Sequence, residues 1–251
     1  MLGFTVGEAL LVVLAGFAAG TINTVVGSGS LITFPTLLAL GLPPVTANVS
    51  NTIGLVPGSA SGAYGYRREL RGLRPVLTRL LSATGLGALL GATLLLAFPE
   101  SVFEAVVPWL VGIAVVLVLV QPWLGRRAAD RPPDHTAWWL WPAVFATGVY
   151  GAYFGAAQGV LLVGVLGLGL ALGLQQVNGV KNVLAGAANL VGAVVFALAA
   201  PVDWGAALLV AAGSVLGGVV GAKVARRMPT PVLRGVVVAV GVLALVLLIT
   251  Q

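Results

Sequence analysis

The chain is predicted to be an all-α integral membrane protein: two inverted repeats of five apolar helical segments each, the second of each half a short half-helix or re-entrant piece. Three observations predict it. Of the 251 residues, 59% are hydrophobic and 8% charged, and the mean hydropathy of +1.07 exceeds that of ordinary soluble domains. Apolar runs that match the roughly 20 helical residues needed to cross a bilayer follow one another with short loops. A broken apolar passage also occurs twice. The first runs from Gly16 through Gly27-Ser28-Gly29-Ser30 to Gly41-Leu42, then Val45 to Asn51; the second runs from Gly148 through Gly159 to Gly173-Leu174, then Val177 to Asn182. Freed backbone groups and amides find no water in lipid. Such breaks therefore line a cavity, and a matched pair points to a transporter built from two repeats.

Taken in order, the first repeat (1–124) reads as segments 6–26, 30–41, 45–66, 73–98 and 102–124. The first segment lacks the basic start and small-residue cleavage site of a secretory signal, so it is expected to be a retained helix. The second is too short to span. The third opens after Gly41-Leu42-Pro43-Pro44 and carries Asn48, Ser50 and Asn51, and the fourth carries Gly87 and Gly91 at the spacing that bares one helix face for close packing. A polar stretch, 125–136, forms a cytoplasmic linker. The second repeat (137–251) reads as 138–156, 159–173, 177–200, 204–225 and 231–250, with Gly213, Gly217 and Gly221 in its fourth segment. The whole is one structural unit. Trp109, Trp123, Trp138, Trp139, Trp141 and Trp204 fall mostly near segment ends, as interfacial anchors do.

Orientation follows from the basic residues, which cytoplasmic loops retain. Arg67, Arg68, Arg71, Arg74 and Arg79 follow the third segment, Arg126, Arg127 and Arg131 fill the linker, and Lys223, Arg226, Arg227 and Arg234 surround the last loop. The turns around Glu100 and Asp203 carry none and are expected outside. Both termini are then external. The loop after the third segment is basic in the first half and acidic in the second, and the loop after the fourth is the reverse, so equivalent segments cross in opposite directions. That is an inverted repeat.

The formal charge of +6 and pI near 10.5 belong to these loops, so the bilayer is the expected partner and nucleic acid is not. Zero cysteines exclude disulfides, thiolate metal sites and a cysteine nucleophile. The single histidine, His135, lies in the linker and leaves no histidine metal cluster or Ser-His-Asp triad. Neither catalytic residues nor a cofactor or metal is expected, and no Gly-x-x-x-x-Gly-Lys-Ser/Thr loop is present for ATP.

If the two breaks meet near the midplane, the helix starts at Ser28 to Leu31 and Gln158 to Val160 aim N–H groups into one cavity, and a helix N-terminus favours an anion. Asn23, Ser28, Ser30 and Thr33 add donors on the first-half side; Tyr150, Tyr153 and Gln158 do so on the second. Asn48, Ser50 and Asn51 open one third segment, and Asn178, Lys181 and Asn182 open the other. Lys181 is the one basic residue far from every basic loop, which suits a fixed partner for a bound anion or a side chain that snorkels to the surface. The amides serve equally well as bonds between neighbouring helices. No Asp or Glu occupies a central position, so no carboxylate relay is legible.

These residues resemble the sulfite exporter TauE/SafE family of membrane transporters. The likeness is carried by Gly27-Ser28-Gly29-Ser30-Leu31-Ile32-Thr33-Phe34-Pro35, Gly41-Leu42-Pro43-Pro44 and Ala47-Asn48-Val49-Ser50-Asn51, with a degenerate second copy at Gly173-Leu174-Gln175-Gln176 and Asn178-Gly179-Val180-Lys181-Asn182. Asn48-Val49 stands where members often have Gly-Thr, and Lys181 is unusual at its position. The resemblance implies movement of small sulfur-containing or organic anions, such as sulfite or sulfonates, across a prokaryotic cytoplasmic membrane. The expected function is a secondary transporter working by alternating access, with a proton or other ion as the default coupling partner. A passive anion channel is the alternative, and an intramembrane enzyme lacks the residues it would need.

Overall fold

The computed structural model describes residues 3–129 and 138–224, with isolated positions beyond them. Among the described residues it contains nine helices and no strand: α1 (Val6–Val25), α2 (Ser30–Ala39), α3 (Pro44–Gly65), α4 (Arg74–Ala97), α5 (Glu100–Ala129), α6 (Leu140–Tyr153), α7 (Gln158–Gly169), α8 (Leu174–Ala199) and α9 (Trp204–Val224). Five helices are long and apolar enough to cross a membrane: α1, α4, α8, α9 and the Glu100–Val120 part of α5. α3 is of spanning length but buries Asn48, Ser50, Asn51, Thr52 and Ser59. These polar residues are turned toward other helices, which is where polar groups of a membrane protein belong. One boundary differs from expectation: α5 runs on to Ala129, so the linker begins five residues later than the composition change at 124. Most of the expected last segment, 231–250, and the loop residues Arg131, Arg226, Arg227 and Arg234 lie outside the described residues.

Helix ends follow local chemistry. Thr5 and Glu8 form a capping box on α1, with the Thr5 N–H donating to Glu8 Oε2 at 2.8 Å and the Glu8 N–H to Thr5 Oγ1 at 3.3 Å. Pro44 opens α3 at a position where a missing N–H costs nothing. Asp203 starts α9 by accepting the Ala206 N–H at 2.9 Å. Asp203 is buried at this helix start.

Glycine contacts fix the directions of the helices. On α3, Gly54, Gly58 and Gly65 face Val210, Ser214 and Ala222 of α9 in turn, and on α1, Gly16 and Gly20 face Val210 and Ser214; α1, α3 and α9 are parallel. Gly87 and Gly91 of α4 face Phe145 and Val149 of α6, so that pair is parallel too. By contrast, Gly179, Gly186 and Gly192 of α8 face Tyr66, Ser59 and Thr52, which makes α8 antiparallel to α3. The bundle is thus two antiparallel groups, α1–α3–α9 and α4–α6–α8, joined along α3 and α8. Where α3 and α9 end, Arg67, Arg68 and Lys223 lie together and form a basic face.

The short second helices turn back. Gly169 at the end of α7 meets Trp139 and Leu140 at the start of α6, and Gly29 ahead of α2 packs on Ala19 of α1. Each first-and-second pair is therefore a helical hairpin, α6–α7 opening toward the basic face and α1–α2 toward the opposite end of the bundle.

Candidate functional site

Both hairpin tips are made by the same backbone device. At the end of α1 the N–H groups of Val26 and Gly27 both donate to Ile22 O, at 2.7 and 3.0 Å; at the end of α6 those of Phe154 and Gly155 both donate to Tyr150 O, at 3.0 and 3.1 Å. Gly27 and Gly155 have φ of +93° and +77°, a left-handed conformation that only glycine adopts without strain. The two tips lie side by side in direct contact: the Gly159 N–H donates to Gly27 O at 3.0 Å, and a Cβ on either glycine would fall on the other's backbone.

Five of the expected site residues gather at the start of α2. Thr33 Oγ1 donates to Asn51 Oδ1, Asn51 Nδ2 donates to Ser30 Oγ at 3.3 Å, and Asn23 Oδ1 accepts the Gly29 N–H at 3.4 Å. Ser30 Oγ is the acceptor of its bond, so its own proton is free to be donated. Ser28 is fully buried, and its Oγ has no hydrogen-bond partner. A buried hydroxyl without a partner costs about 1–3 kcal/mol, so it calls for an explanation.

The second-half residues are engaged with protein. Tyr150 Oη donates to Ala156 O and Gln158 Nε2 to Thr147 O at 3.2 Å, closing the α6–α7 turn on itself. Asn48 Nδ2 donates to the Tyr153 carbonyl at 3.0 Å, while its Oδ1 is buried and unpartnered. Lys181 is completely buried and does not snorkel. Its Nζ donates to Asn23 O and Thr24 O, both at 3.0 Å, and Asn182 Nδ2 donates to Thr24 O at 3.2 Å. Those carbonyls are the negative end of α1, where a cation is favoured. Lys181 therefore clamps the first hairpin, and its chain passes beside Gly159. Two expected residues lie apart from the tips. Ser50 Oγ accepts the Asp203 N–H at 2.9 Å and ties α3 to the start of α9, and Asn178 is half-buried in the opening turns of α8.

The family described as sulfite exporter TauE/SafE matches residues 12–248. The chain belongs to the sulfite exporter TauE/SafE family. Among curated relatives it is 28% identical over 236 residues to a probable membrane transporter protein of Haemophilus influenzae, covering 93% of this chain and 92% of that one. It is 29% identical over 237 residues to the probable membrane transporter protein ORF9 of a Sinorhizobium species, covering 91% and 87%. To the probable membrane transporter protein YfcA of Escherichia coli K12 it is 27% identical over 240 residues, covering 94% and 88%. No solved structure matches the chain. This TauE/SafE member is thus a membrane transporter with apolar transmembrane helices. Its two hairpins meet at Gly27 and Gly159. The carbonyls of Asn23, Thr24 and Tyr153 that organise that contact carry no signal in a sequence, because every residue has a carbonyl.

Proposed function

We propose that the chain is a secondary transporter that moves a small anion, sulfite or a related sulfur-containing or organic anion, by alternating access, with the anion held at the start of α2 between the two hairpins. The observation that carries this is the buried, unpartnered Ser28 Oγ at the N-terminus of a ten-residue helix. An anion there would accept from Ser28, from the free proton of Ser30 and from the positive end of α2. Asn23, Thr33 and Asn51 orient those donors.

The two halves are proposed to be inverted repeats. In support, α1 packs on α9 of the other half as α6 packs on α4, and α3 meets α9 as α8 meets α4. The hydrogen bonds repeat the exchange: Asn48 on the first half's third helix caps α6, and Lys181 on the second half's third helix caps α1. A symmetric pair of groups leaning on α3 and α8 is what rocking about a fixed site requires. With positive-inside orientation, the basic face is cytoplasmic and both termini are external. The closed contact at Gly27 and Gly159 favours a carrier over an open channel.

The test is a binding screen of purified protein against sulfite, thiosulfate, sulfate, sulfonates and short carboxylates, followed by counterflow in proteoliposomes with the best ligand. Saturable binding with counterflow supports the proposal. Flux without saturation or counterflow replaces it with a channel, and no binding of any anion removes it.

A further inference from the structure

Away from the hairpins, the basic ends of α3 and α9 enclose a cavity of about 320 Å³, walled by Tyr64, Arg67 and Arg68 on one side and Val219 and Lys223 on the other. Among the described residues its lining holds three cations and no carboxylate. Arg67 is held in place: its guanidinium stacks over the Tyr64 ring at 4.3 Å and donates to Tyr64 O at 3.2 Å. Arg68 and Lys223 are exposed across the cavity from each other's helix.

From this cavity an apolar stripe runs along α9. Leu208, Leu216 and Val220 are exposed at four-residue multiples, with exposed Ala212 completing the row, and exposed Val219 joins it to the cavity wall. The twelve steps from 208 to 220 measure about 18 Å along a helix. That is close to one leaflet of a hydrocarbon core roughly 30 Å thick. As the outer face of a helix apolar enough to cross a membrane, this row meets lipid, so a phosphate held in the cavity as part of a phospholipid has its acyl chain directly beside it.

The geometry points to a binding site for an anionic phospholipid at the joint between α3 and α9, with the headgroup phosphate among Arg67, Arg68 and Lys223 and an acyl chain on the α9 stripe. The two walls belong to opposite halves of the chain, so a bound headgroup holds the halves together at the basic face. This site is separate from the hairpin contact and does not depend on it.

The experiment titrates purified protein in neutral detergent with dioleoylphosphatidylglycerol and follows Tm. Replacing Arg67, Arg68 and Lys223 by Gln is expected to raise the midpoint of stabilisation about a hundredfold, given about fivefold per basic residue at a membrane surface. Replacing Arg71, Arg74 and Arg79 by Gln removes the same charge from the same face outside the cavity and is expected to leave the midpoint in place. If the triple cavity variant does not fold, Lys223→Gln alone is expected to shift the midpoint about fivefold. Equal midpoints in wild type and cavity variants, or an equal shift in the control, overturn the site. Stabilisation by glycerol phosphate or inorganic phosphate matching that by the lipid overturns its assignment to a phospholipid.

Discussion

The Gly159 N–H donates to the Gly27 carbonyl at 3.0 Å, and this one bond joins the tips of two hairpins that come from opposite halves of the chain. No side chain fits between them.

Gly27→Ala is therefore expected to abolish counterflow. Its Cβ would fall on the Gly159 backbone at a φ of +93°. Gly41→Ala is the control: its φ is +87° but nothing lies within 4 Å of the new atom, so it carries only the backbone strain, about 1–2 kcal/mol. Wild-type counterflow in Gly27→Ala would show that the hairpin contact does not matter to transport.

Ser28→Ala is expected to separate affinity from stability. Deleting an unpartnered buried hydroxyl should leave Tm unchanged or raised. Loss of a hydrogen bond to a charged ligand should weaken sulfite binding by roughly ten- to a hundredfold, from the ~1.5–3 kcal/mol such bonds contribute. Calorimetric titration with sulfite checks it, and unchanged affinity would remove Ser28 from the site.

Lys181→Met is expected to lower Tm. It strips the Asn23 carbonyl of the Lys181 donor and leaves Thr24 O with Asn182, at about 1–3 kcal/mol for a buried group left unsatisfied. An unchanged Tm in a thermal melt would contradict the clamp.

Gly91→Ala and Gly217→Ala are expected to destabilise alike, each Cβ landing on a carbonyl of the partner helix, Val149 in one case and Phe17 in the other. Overpacking of this kind costs about 1–3 kcal/mol. Gly85→Ala, in the same helix as Gly91 with nothing within 4 Å, should instead stabilise by up to about 1 kcal/mol through helix propensity. Thermal melts of the three variants in one detergent decide it.

The absence of cysteine makes orientation directly measurable. Ser101→Cys, exposed at the start of α5, should react with an impermeant maleimide on intact cells, and Arg68→Cys, exposed at the basic face, only after lysis. The reverse pattern would invert the proposed topology.

The sequence by itself determined the helical membrane class, the boundaries of most segments and the shortness of α2 and α7, because each of these follows from a local property: apolar length, a glycine, a proline, a cap. It also marked Ser28, Asn51 and Lys181, since polar groups in apolar sequence are costly wherever they lie. Only the tertiary structure decided that the short helices turn back as hairpins and that Lys181 faces the end of α1. It also decided that Ser50 serves the α9 cap and that Tyr150 and Gln158 close their own turn. The physical reason is that these outcomes depend on which backbone carbonyls lie opposite each donor. Such partners are identical in every residue and are brought together by packing across more than a hundred positions, as Lys181 and Asn23 are at a separation of 158.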